Sequence, residues 1–143
     1  MKVKTVVLAI LFLIMVPFAW AESPTSSTKI DWHSYKDGMA RGKFEKKKVL
    51  IHFYADWCTY CKVMEEKTFQ DPNIIASIND NFIPVKVDYD RETETSALYQ
   101  VRGLPDTWFV AEDGRIIGNR PGYISPEQMK VILELLQSES LQK

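Results

Sequence analysis

Apolar positions along this chain switch between a period of two and a period near 3.6, and the switches mark its elements. Lys48 to Ala55 is rich in β-branched and aromatic residues, which predicts a buried strand. Phe82 to Asp88 reads as the next strand, and Lys29 to Trp32 as a short first one. Ser34 to Lys46 predicts a charged, amphipathic helix. A further helix is expected from Cys58 to about Phe69. Asp71-Pro72-Asn73 ends it and opens a second, with Asp71 as cap and Pro72 in the first helical position. Glu92 to Tyr99 predicts a short helix. Thr107 to Ala111 and Arg115 to Asn119 flank Glu112-Asp113-Gly114, a hairpin signal. Ser125-Pro126-Glu127-Gln128 is a capping box, after which Met129, Ile132, Leu133 and Leu136 form one apolar stripe fit for core packing. The order is β-α-β-α-β-α-β-β-α, an α/β sandwich around one mixed sheet.

The N-terminus changes the compartment. Lys2 and Lys4 precede an apolar run from Val6 to Val16, and Ala19-Trp20-Ala21 supplies a cleavage signal ahead of Glu22. Val6 to Ala21 is shorter than the ~20 residues that span a bilayer. Residues 1–21 are therefore read as a signal peptide, with a periplasmic or otherwise exported product that is not held in the membrane after cleavage. No cysteine lies near the cleavage point, which argues against a lipid anchor. Of the 143 residues, 122 remain after cleavage, enough for one domain with a core. Loss of two lysines moves the formal charge from −1 to −3, a balance that argues against nucleic acid as a partner. Residues 22–29 include Glu22 to Thr28, polar and rich in Pro, Ser and Thr, and read as a flexible tether. Residues 30–138 are the expected domain and 139–143 a tail.

The chemistry lies in Cys58-Thr59-Tyr60-Cys61, which holds the only two cysteines and sits where the strand ending at Ala55 turns into a helix. Two thiols at i, i+3 form a two-electron couple that needs no cofactor. Half a structural zinc site is the alternative. Zinc needs four ligands, and only His33 and His52 could add to the pair, so no metal is expected. A structural staple is a weak alternative, because so short a loop restrains little of the unfolded chain. At a helix start the free N–H groups and the dipole favour an anion, so Cys58 is the expected nucleophile and Cys61 the resolving thiol.

Tyr54 to Lys62 (Y-A-D-W-C-T-Y-C-K) resembles the active-site segment of the thioredoxin superfamily. Val101-Arg102-Gly103-Leu104-Pro105 resembles its cis-proline segment, and Pro121-Gly122-Tyr123 its glycine turn before the last helix. The resemblance covers about Ile30 to Gln137 and implies a thioredoxin-like three-layer sandwich with a mixed central sheet. Among its members the chain is most similar to exported reductases such as the C-terminal domain of DsbD-type electron transporters. The shared features are A-D-W-C-x-x-C-K, Glu65 four residues after the second cysteine, and Thr68-Phe69-Gln70-Asp71-Pro72. The resemblance implies protein disulfides as substrates and a separate protein as electron donor, with a membrane thiol-disulfide transporter as the candidate. It further implies a cis Leu104–Pro105 bond facing the dithiol, with the Leu104 backbone open to an extended substrate. Asp106 departs from the threonine common at its position, with a consequence for substrate choice.

Trp57 is expected to shield the dithiol and offer substrate an apolar contact, and Tyr60 to tune exposure. Many thioredoxins carry a buried acid six residues before the nucleophile, where this chain has His52. Strand alternation points His52 toward the space beneath Cys61, where an imidazole either relays the proton of the buried thiol or merely packs. Glu65, one turn after Cys61, is the other candidate for that proton. Trp32, Trp108, Tyr89 and Tyr99 are read as packing residues. Reduction of disulfides in exported proteins is the leading function. An oxidase or isomerase, or a non-catalytic binding module of the same fold, are the alternatives. The histidine between the cysteines and the inserted helical domain of strong oxidants are both missing.

Overall fold

The computed structural model describes residues 27–138; the leader, residues 22–26 of the tether and the tail at 139–143 lie outside the described residues. Nine elements follow one another: α1 (Tyr35–Glu45), β1 (Lys48–Tyr54), α2 (Thr59–Lys67), α3 (Pro72–Asn81), β2 (Phe82–Asp88), α4 (Thr93–Leu98), β3 (Asp106–Val110), β4 (Ile116–Pro121) and α5 (Pro126–Ser138). The sheet order is β2-β1-β3-β4. β1 runs parallel to β2 and antiparallel to β3, and β3 pairs antiparallel with β4, so the sheet is mixed.

Alternation along β1 divides the core in two. Val49, Ile51 and Phe53 join Ile83, Val85, Val87, Tyr99 and Val110 on one face, against Tyr35 and Met39 of α1. Leu50 joins Met64 of α2, Ile74 and Ile78 of α3, and Met129 and Leu133 of α5 on the other. Helices thus cover both faces, making three layers. The helix α1 lies unusually close to the sheet. A Cβ added at Gly38 would overlap Cγ2 of Val85, and one at Gly42, a turn later, would come within 2.5 Å of Cγ2 of Val49.

Cap chemistry sets the helix ends. Asp71 accepts hydrogen bonds from the N–H groups of Asn73 and Ile74 ahead of α3. Ser125 and Gln128 form the reciprocal capping box: Gln128 N donates to Ser125 Oγ, and Ser125 N to Gln128 Oε1. The expected strand at Lys29 to Trp32 is absent. In its place His33 makes a single parallel bridge to Val85, donating to Pro84 O at 2.9 Å and accepting from Lys86 N at 3.2 Å. The segment turns into α1 directly afterwards, with Ser34 as its cap, so no room is left for a ladder. Among the described residues no helix is long and apolar enough to cross a membrane.

Candidate active site

Cys58 is the N-cap of α2, in an extended conformation (φ −78°, ψ 105°) that turns the chain from the loop after β1 into the helix. Its sulfur accepts a hydrogen bond from Cys61 N at 3.2 Å. An atom at this position receives one of the orphan N–H groups and the positive end of the helix dipole, both of which favour a thiolate over a thiol. The two cysteines are joined as a disulfide, with Cα atoms 5.3 Å apart. Cys58 is 5% exposed and Cys61 1%, so the outer sulfur is the one at the helix cap.

Around the disulfide lie Ala55, Tyr54, Tyr89 and Leu104. Tyr89 N donates to Tyr54 O at 2.8 Å, tying the chain after β2 to the end of β1, where Tyr89 packs on the cluster of Ala55, Cys58 and Cys61. Tyr89, a packing residue by sequence, thus borders the dithiol. The Leu104–Pro105 peptide bond is cis. Gly122 N donates to Pro105 O at 2.7 Å, so the glycine turn holds the proline loop in place, Gly122 itself at φ +87° where a side chain is disfavoured. Among the described residues the backbone of Leu104 makes no hydrogen bond. Trp57 is 65% exposed, and its indole N–H donates to Asp90 Oδ2 at 2.8 Å; Tyr60 is equally open to solvent.

His52 lies fully buried on the α2 face of the sheet, within a cage formed by Phe69 (ring centroids 4.9 Å apart), Trp32 (6.1 Å) and Tyr54 (6.4 Å). Its Nδ1 is 3.4 Å from Thr107 Oγ1 on β3, and its Nε2 has no hydrogen-bond partner among the described residues. Neither nitrogen is bonded to a cysteine. Burial, reinforced by the positive charge of Lys86, pushes its pKa down to about 3, so the ring is neutral at ordinary pH. Glu65 on α2 forms an ion pair with Lys86 on β2, whose Nζ also sits 4.2 Å from the centre of the Tyr54 ring. Lys86 was missed in the sequence, although a lysine inside the apolar run of β2 is a visible signal. Asp106, directly after Pro105, is buried; its carboxylate accepts from Trp108 Nε1 at 2.9 Å and Asn119 Nδ2 at 3.0 Å, and burial raises its pKa against those bonds. Among the described residues no three His, Cys, Asp or Glu side chains gather to hold a metal ion.

Comparison with known proteins agrees with this geometry. The profile of the thioredoxin-like domain family matches residues 35–137. A thioredoxin of Mycoplasmoides gallisepticum is 34% identical over 88 residues, covering 62% of this chain and 83% of that protein. The thiol:disulfide interchange protein DsbD of Vibrio vulnificus is 36% identical over 85 residues, 57% of this chain but only 14% of that protein's length. Among solved structures, a thioredoxin from Thermus thermophilus superposes with a TM-score of 0.69 at 22% identity, over 76% of this chain and 87% of its own, a likeness of fold. The chain belongs to the thioredoxin-like domain family, and its Cys58–Cys61 pair makes it a protein-disulfide oxidoreductase.

Proposed function

We propose that this protein is exported and works as a reductase of disulfides in extracytoplasmic proteins. The observation that carries the reading is the placement of Cys58 Sγ as the N-cap of α2, where it accepts the Cys61 N–H. In the reduced form the Cys58 thiolate attacks one sulfur of a substrate disulfide. A Cys58–substrate disulfide forms and the other substrate sulfur leaves as a thiolate. Cys61 then gives up its proton and attacks Cys58 Sγ. The second substrate sulfur departs, and two electrons have passed to the substrate, leaving the Cys58–Cys61 disulfide. A separate protein dithiol, such as one presented by a membrane thiol-disulfide transporter, returns the electrons. The export signal at residues 1–21 supports the compartment, and the likeness of part of DsbD to this chain supports the electron route.

Substrate lies across Trp57 and Leu104, beside Pro105. Leu104 packs on the cysteines and keeps its backbone groups open to a strand-like partner. Of the two residues considered for the Cys61 proton, the observations favour Glu65. It follows Cys61 by one helical turn on the same face, whereas His52 is a very weak base bonded toward Thr107.

The reduction potential of Cys58–Cys61, equilibrated against glutathione, tests the direction. A value below about −220 mV supports a reductase, whereas one near −120 mV, the range of strong oxidants, reassigns the protein to disulfide formation. In the same experiment Cys61→Ser traps mixed disulfides and Cys58→Ser traps none.

A further inference from the structure

Beside the dithiol, on the far side of Tyr89, opens a pocket of about 400 Å³ lined by Tyr89, Thr93, Ser96, Ala97, Gln100, Val101 and Arg102. Its polar lining is made of three hydroxyls, one amide and one guanidinium. No carboxylate lines it, in a chain whose acids outnumber its bases. Ser96 is 4% exposed, and its Oγ has no hydrogen-bond partner among the described residues, which is costly unless something arrives to pair with it. Arg102 is exposed and makes no ion pair among the described residues. Of the neighbouring acids, Asp90 accepts from the Trp57 indole and Glu92 from Asp88 N, while Glu94 is exposed beside Thr93 in the first turn of α4.

We propose that this pocket is a substrate subsite that selects an acidic side chain close to the attacked cysteine of the partner protein. The inference rests on the reductase reading for its substrate class. Tyr89 belongs both to the pocket and to the residues packed on Cys58 and Cys61, so one ligand spans the two. An extended segment lying along Leu104 continues past Gly103 to Arg102. A side chain within about three residues of the substrate cysteine, ~10 Å of extended chain, reaches the pocket. There a carboxylate meets the planar Arg102 fork and the Gln100 amide, and a small shift of the pocket wall lets the enclosed Ser96 hydroxyl donate to it as well. Tyr89 and Val101 supply the apolar wall.

The test uses disulfide-linked peptides that differ only in carrying Glu or Gln at one position, scanned within about three residues on either side of the cysteine. The readout is the second-order rate constant of reduction by the full mature chain. At one position the wild type should prefer Glu over Gln by roughly fivefold, with the preference fading in high salt. Arg102→Gln should bring the ratio to about one, and Ser96→Ala should lower it by about half. Equal rates at every position, or a preference that survives Arg102→Gln, overturn the subsite. If no peptide is reduced, the reductase reading fails instead, and the subsite is judged by binding alone. For that, serine-for-cysteine peptides are titrated into the oxidised protein, where the same Glu-over-Gln ratio in Kd sustains it and a ratio of one ends it.

Discussion

Lys86 on β2 stands level with His52 on β1 in the parallel register, and the two share the α2 face of the sheet. Burial first, and the Lys86 charge second, keep the imidazole neutral. The folded pKa of about 3 lies below the ordinary value of 6.5. The unfolded chain thus takes up a proton as pH falls through 6.5, while the folded one does not until about 3. The stability tied to neutral His52 is whole above pH 6.5 and shrinks toward acid, by up to about 2 kcal/mol between pH 6.5 and 5. Urea unfolding at those two pH values should show this loss in the wild type and a smaller one in His52→Leu. Equal slopes in the two proteins would place His52 in contact with water.

Glu65 and His52 are separable by the step they affect. Single-turnover reduction of a model disulfide should show Glu65→Gln slowing release of the mixed disulfide by about tenfold, with the first attack by Cys58 little changed. His52→Ala should lower stability by about 2 kcal/mol through the cavity it leaves, with the second step and its pH profile intact. A slow second step in His52→Ala alone would return the proton relay to the histidine.

Asp106 is held by two side-chain donors, Trp108 Nε1 and Asn119 Nδ2, and by the Thr107 backbone. Asp106→Ala strands Trp108 Nε1 and Asn119 Nδ2 and should cost about 2 kcal/mol in chemical denaturation. Asp106→Asn keeps an oxygen for the indole and removes a charge that burial disfavours, so at neutral pH it should match the wild type or exceed it. The sign follows from the raised pKa. The folded state holds the Asp106 proton to higher pH than the unfolded chain does, so this carboxyl's contribution falls as pH rises through its folded pKa. An Asn variant as unstable as the Ala variant would contradict this account.

Gly38→Ala should be among the most damaging small substitutions. The added methyl meets Val85 in the fully buried layer between α1 and the sheet, and overpacking there should cost about 2 kcal/mol or more. Thermal unfolding checks it. Because the contact lies on the face opposite α2, the Cys58–Cys61 potential should stay that of the wild type.

Most of this fold is visible in local sequence because its elements are bounded by chemistry that acts over a few residues. Asp71-Pro72 and Ser125 to Gln128 define their helix starts by side-chain caps, and Phe82 to Asp88 is a strand by composition. The dithiol was legible for the same reason. What escaped depends on neighbours far apart in sequence. Lys29 to Trp32 has the composition of a strand, but the ladder it would need is reduced to one bridge at His33. Tyr89 borders the dithiol only because β2 ends beside β1, and Lys86 reaches Glu65 only because α2 packs over that face of the sheet. His52 could be assigned to a face by alternation, yet its neutrality comes from Phe69, Trp32 and Lys86, none of which its own strand reveals.

One atom, Cys58 Sγ, is at once reagent and helix cap. When the disulfide opens to a Cys58 thiolate, the Cys61 N–H that it already faces becomes the partner of a full negative charge, and that hydrogen bond strengthens. The sulfur that would begin an exchange is thus held by the same helix start that it caps.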